Sequence, residues 1–113
     1  MPAASHLILG VEESPSTLRL RLTGDFDAGG VGAVEQALDR LCEASAPGRV
    51  VFDLRGLAFL GLAGLRTILR AEARGRAEAF EVVVVRPRGL ANRVFTLTRA
   101  DKRLSIVEAP EAG

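Results

Sequence analysis

The chain has 113 residues, 48% of them hydrophobic and 26% charged, the balance of one globular domain, which excludes a disordered or collagen-like chain. A chain of this length buries roughly two-thirds of the surface it exposes when unfolded, so it needs no metal or disulfide to fold. Its 15 basic and 14 acidic residues leave a formal charge of +1, which exerts no strong pull toward nucleic acid or an anionic membrane.

In chain order, Leu7–Val11 reads as a first strand and Glu12–Ser16, with Pro15 inside it, as a turn. Leu18 to Thr23 alternates strictly, as a strand with one buried face does, and the two strands form an antiparallel hairpin. Gly24-Asp25-Phe26-Asp27 breaks the alternation. Val31, Val34, Leu38, Leu41 and Cys42 then recur at the spacing of one helix face, and Pro47-Gly48 ends that helix. Val50–Leu54 is a compact apolar run, read as a strand covered on both faces. A second helix runs from about Leu62 to Arg76 with Leu65, Ile68, Leu69 and Ala73 inward. Phe80–Val85 is a further central strand, Leu90, Val94 and Leu97 mark a short third helix, and Leu104–Val107 is a closing edge strand.

The order β-β-α-β-α-β-α-β predicts a single small α/β domain. Alternating strands and helices imply parallel neighbours with right-handed crossovers, hence a mixed sheet of about five strands with helices packed on it. The domain is expected to span 1–113, with an ordered core of about 6–108 and frayed ends at Met1–Ser5 and Pro110–Gly113.

No catalytic set stands out. Asp25 and Asp27 sit two apart in a loop, a spacing that could serve acid–base chemistry. The simpler reading is structural: Asp27 caps the first helix or ties the loop through its carboxylate. The sole histidine, His6, lies near the N-terminus, so no Ser-His-Asp or Cys-His set has a base. Cys42 falls on the buried helix stripe, and a lone cysteine builds neither a disulfide nor a cysteine metal site. Neither metal nor cofactor is expected.

Other classes are excluded on similar grounds. No apolar stretch approaches the roughly 20 residues of a membrane span, and Met1–His6 lacks the basic and apolar regions of a signal peptide, so the expected location is cytoplasmic. Trp and Tyr are absent and the five Phe residues fall inside or beside apolar runs, which argues against stacking platforms for single-stranded nucleic acid. Gly56, Gly61 and Gly64 lie between a strand and a helix, where backbone N–H groups could cradle phosphate, but the segment has neither a P-loop ending nor a dinucleotide fingerprint.

The second helix carries more information. With Leu65, Ile68 and Leu69 inward, Ala63, Arg66, Thr67, Arg70 and Arg74 face outward, and the three arginines, four apart, form one stripe. Leu57-Ala58-Phe59-Leu60-Gly61-Leu62 leads into it as an apolar loop whose side chains cannot all reach the core. An apolar patch beside a basic stripe suits a docking site for a partner protein.

Val50-Val51-Phe52-Asp53-Leu54-Arg55-Gly56-Leu57-Ala58-Phe59-Leu60, followed by a glycine turn and Leu65, resembles the STAS domain family, which includes anti-sigma factor antagonists. Leu22-Thr23-Gly24-Asp25-Phe26-Asp27 is similar to that family's Gly-Glu-Leu-Asp segment, and Phe95–Asp101 with Leu104-Ser105-Ile106 to its closing helix and strand. The resemblance implies a non-enzymatic, partner-switching regulator that binds an anti-sigma factor or related kinase, and a serine in an Asp-Ser-Ser/Thr-Gly turn that the kinase phosphorylates. Aligned on Gly64, that turn here reads Gly61-Leu62-Ala63-Gly64, with Gly61 at the aspartate position and Ala63 at the phosphoacceptor position. A methyl group cannot accept a phosphoryl group, so this switch cannot operate. The expected docking residues are Phe59, Gly61, Leu62, Ala63, Gly64, Arg66, Thr67 and Arg70. Two alternatives stand beside this reading: a STAS subunit of a transport system such as a lipid-transport ATPase complex, and a small-ligand or nucleotide sensor using the glycine turn.

Overall fold

A computed structural model describes residues 6–108. The strands are β1 (Leu7–Ser14), β2 (Thr17–Phe26), β3 (Arg49–Leu60), β4 (Glu81–Val85) and β5 (Ser105–Val107), and the helices α1 (Ala28–Ser45), α2 (Leu62–Glu78) and α3 (Gly89–Leu97), with a 3₁₀ turn at Ala100–Lys102. They form one mixed sheet in the order β1-β2-β3-β4-β5. β1 pairs antiparallel with β2, and every later pair is parallel. This is the α/β architecture that the alternating pattern predicts. The expected frayed termini lie outside the described residues.

Sequential order and right-handed crossovers put every helix on the same face of the sheet. Leu18, Leu20 and Leu22 of β2, Val50, Phe52 and Leu54 of β3, and Val82 and Val84 of β4 point to that face. There they meet Val34 and Leu38 of α1, Leu65 and Ile68 of α2, and Ala91 and Phe95 of α3 in one core. The other face has no helix. Val51, Val83 and Val85 form a small separate cluster on it, so β3 is not helix-covered on both faces as its apolar run suggests. Arg19 and Arg55 flank buried Asp53 there.

Several elements run longer than the sequence pattern indicates. β2 continues through Gly24-Asp25-Phe26, with a register shift at Gly24/Asp25. β3 continues to Leu60, so the expected apolar loop is strand. Alternation is broken there by a bulge at Ala58, where Gly24 pairs with Leu57 and Asp25 with Phe59, so Leu57 and Leu60 are both buried and Phe59 is 45% exposed. Beyond Asp53 only β2 pairs with β3, up to Phe26 opposite Leu60. The two strands thus reach past the rest of the sheet and deliver the starts of α1 and α2 side by side.

The helix phases also need correction. In α2 the buried positions are Gly64, Leu65, Thr67, Ile68, Ala71 and Gly75, so Thr67 is inside and Ala73 is exposed, the reverse of expectation. In α3 the buried residues are Ala91 and Phe95, whereas Leu90 and Leu97 are 67% and 76% exposed. Of the apolar stripe that marks this helix in the sequence, Leu90 and Leu97 face outward and Val94 is half-buried against the core.

Candidate functional site

Parallel strands deliver their following loops to one edge of a sheet, where open α/β folds bind ligands. Here the ends of β2 and β3 place Phe26-Asp27 against Gly61–Gly64. The Gly61 N–H donates to the Phe26 carbonyl at 2.9 Å, and the Leu65 N–H donates to the Gly61 carbonyl at 3.0 Å, starting α2. Gly61 is the N-cap, with extended backbone and no side chain to bond the helix. A Cβ on Gly64 would lie 2.4 Å from the Phe26 carbonyl oxygen, so only glycine lets helix and strand approach this closely.

Asp27 and Gly61 are coupled in the same way. A Cβ on Gly61 would lie 2.1 Å from Oδ1 of Asp27, so the carboxylate fills the space a side chain at 61 would need. Asp27 is the N-cap of α1, but by position only. Its carbonyl accepts the Gly30 N–H at 2.9 Å, and its carboxylate makes no capping hydrogen bond. The expected carboxylate cap is therefore corrected: the group lies against the start of α2 instead, where a negative charge suits the helix dipole. That carboxylate also opposes a bound phosphate at this turn, by like-charge repulsion. Asp25, paired in register with Phe59, sits on β2 beside the same corner.

The expected docking residues divide into an exposed set and an enclosed set. Phe59 and Leu62 are exposed, the latter by 62%. Ala63 is half-buried and Arg66 exposed, and Arg66 forms no ion pair among the described residues. Gly61 and Gly64 are buried and shape the turn. Thr67 is 1% exposed, and its hydroxyl donates to the Ala63 carbonyl at 2.9 Å. Its place facing out is overturned, because small neighbours let α2 settle with this side chain inward.

The arginine stripe is likewise divided. Arg74 pairs with Asp39 of α1 at 2.6 Å and with Glu78 at 3.1 Å, and Arg70 reaches Glu35 of α1 at 3.4 Å. These two arginines edge a shallow α1–α2 groove of about 150 Å³. Of the three, Arg66 alone remains uncommitted.

The sequence pattern did not single out Asp53. It is 1% exposed; its Oδ1 accepts the backbone N–H and Nε of Arg55, and its Oδ2 accepts from Arg55 at 2.6 Å and Arg19 at 3.2 Å. The Arg55 hydrogen bonds outweigh burial and hold its carboxyl down at about 2. An Asp-x-Arg pair on a strand shares one face, a signal present in the sequence. Every oxygen is occupied by arginine, so the cluster is a structural tie rather than a free acid. Burial pushes the Cys42 thiol up, as befits a core side chain. Among the described residues no group of three or more His, Cys, Asp or Glu side chains is placed to hold a metal, and no helix is long and apolar enough to cross a membrane.

The family model described as "Mlab, STAS domain" matches residues 9–108. Among solved structures, the chain is similar to an anti-sigma factor antagonist from Mycobacterium paratuberculosis: 26% identity, TM-score 0.80, covering 96% of this chain and 92% of that one. It is also similar to the anti-sigma factor antagonist SpoIIAA in its unphosphorylated form, at 18% identity and TM-score 0.79, with 92% and 90% covered. A third structure, Mglu, is 29% identical with TM-score 0.59 over 66% of this chain but 18% of that one, so there the fold is part of a longer chain.

Proposed function

The chain belongs to the STAS domain family, and from that premise we propose that it is a non-enzymatic regulatory binding protein that docks an anti-sigma factor or related kinase through the start of α2. The observation that carries this is the corner where β3 meets α2. Apolar Phe59 and Leu62 are exposed there beside uncommitted Arg66, on a backbone pinned by Gly61 and Gly64. Fully desolvated apolar anchors with a charged neighbour are what partner surfaces use.

Ala63 makes the docking unswitched. No hydroxyl is present at 63, and Thr67, one turn on, is closed off by burial. A kinase partner therefore finds no phosphoacceptor in this turn, and the bound state is not ended by phosphorylation. The same feature favours one second reading, a permanent STAS subunit of a transport system, which needs a docking surface but no switch. The phosphate-cradling sensor is disfavoured by the Asp27 carboxylate at the turn.

The test is a pair of carboxylate substitutions, Ala63→Glu and Leu62→Glu, titrated calorimetrically against the anti-sigma factor kinases of the source organism. Position 62 is exposed and both sites lie in the first turn, where the dipole favours a negative charge by about 0.3–1 kcal/mol, offset at 63 by nearby Asp27. The expected result is an unchanged melting temperature with affinity lost by about tenfold or more. Full affinity in folded variants moves the docking site elsewhere.

A further inference from the structure

We propose a second docking surface, formed by α3 and Phe59, whose occupant is an acidic amphipathic helix of a partner protein. Leu90, Val94 and Leu97 recur at helical spacing along the outer face of α3. With Phe59 and Arg93 they line an apolar groove of about 310 Å³. Leu97 and Leu90 are, with Ile8, the three most exposed large hydrophobic residues among the described ones, at 76%, 67% and 68%. Large apolar side chains gathered in one exposed groove mark an interaction site, where scattered ones do not.

The charge around the groove selects the occupant. Residues 86–103 hold six basic side chains and one acidic, whereas the rest of the chain holds nine basic and thirteen acidic. Arg88, Arg93, Arg99, Lys102 and Arg103 are all exposed and form no ion pair among the described residues, whereas Arg70 and Arg74 are already neutralised by α1. Arg93 lines the groove itself, and Arg88 and Arg99 bracket α3 at its two ends, so the groove is complementary to a helix with apolar anchors and flanking Asp or Glu side chains. A second copy meeting it across a two-fold axis would set Arg93 and its basic neighbours against the same cations, because such an interface apposes the same patch to itself. Phe59 lines one side of the groove and α3 the other.

This surface shares Phe59 with the docking corner at the start of α2 but is otherwise separate from it and does not rest on that reading. The test uses a labelled peptide of about four helical turns, with Leu at i, i+3, i+4 and i+7 on one face and Glu on the other, added to isotope-labelled protein. Backbone amide shifts should move at Phe59 and along residues 88–99. The double variant Leu90→Ser/Leu97→Ser, which alters two exposed side chains, should keep its melting temperature and weaken peptide binding by about tenfold or more. Arg93→Glu should weaken it further at low salt than at high salt. A peptide carrying Lys in place of Glu should not bind. Shifts confined to Ala63–Arg66 overturn this surface while leaving the α2 site standing. Absent shifts, a concentration-dependent dimer abolished by the double variant, or equal binding to phosphatidylglycerol vesicles each overturn it as well.

Discussion

Asp53 contributes an acid-side loss of stability of its own. Its carboxyl is held at about 2, below its ordinary value of 3.8, first by the Arg55 side-chain hydrogen bonds and then by the Arg55 backbone N–H and Arg19, against the opposing effect of burial. A carboxyl depressed in the folded state stabilises above its unfolded value and loses that contribution as the pH falls through the folded one. Folding should therefore weaken between about pH 4 and pH 2, by about 2 kcal/mol from this group. Asp53→Asn should cost about 1–3 kcal/mol at neutral pH, because the two guanidinium groups lose the negative charge and one of the two accepting oxygens but remain partly exposed to solvent. It should also flatten that acid-side slope, which urea unfolding at stepped pH measures. A variant with wild-type stability and an unchanged slope would show that the tie contributes nothing. The sequence displays this pair as alternation, Asp53 and Arg55 on one strand face, but not its third member, Arg19, which only the β2–β3 register supplies.

At the scale of the elements, strands and helices are legible in number and order because their periods differ, and phases are less so. The sequence phase of α2 follows its large apolar residues, whereas the seam is set by Gly64, Ala71 and Gly75, whose small size lets the helix approach the sheet. Phasing α3 fails for another reason: in nine residues, Leu90, Val94 and Leu97 fit a helical stripe as well as Ala91 and Phe95 do. The helix ends carry a distinct signature. α1 and α2 both stop at an alanine in the left-handed region, Ala46 at φ 44° and Ala79 at φ 68°, where glycine is the favoured residue. Their N–H groups donate to the Cys42 and Gly75 carbonyls, so the caps are formed with the side-chain strain retained. Ala46→Gly and Ala79→Gly should each stabilise the fold by up to about 1 kcal/mol, the relief of strain exceeding the entropy glycine adds to the unfolded chain. Thermal unfolding of the single and double variants checks the sign. A lowered melting temperature would mean that unfolded-state entropy dominates.

Across the whole molecule, the sequence pattern leads directly to the sheet, since sequential parallel strands joined by right-handed crossovers leave one face helical and one open. The distribution of free charge is less legible, because ion pairs link residues far apart in the chain. Arg66, Arg70 and Arg74 look equivalent as an i, i+4, i+8 series, yet Glu35 and Asp39 on α1 engage the latter two and leave Arg66 free. A net charge of +1 gives little steering of its own, so attraction of an acidic partner comes from local, uncommitted cations. Arg66→Glu should accordingly slow association with the α2-docking partner and reduce its dependence on salt, most clearly at about 10 mM, where the Debye length is about 30 Å against about 8 Å at physiological ionic strength. Its melting temperature should hold, since no pair is broken. Arg70→Glu should act oppositely. It sets a like charge beside Glu35 and costs a few tenths of a kcal/mol in stability, while its effect on association is smaller, because the wild-type charge is already partly neutralised. Stopped-flow association at two salt concentrations, with thermal unfolding of the same preparations, separates the two variants. Equal rate losses for both would mean that the α1–α2 pairs open on docking and that the whole stripe meets the partner.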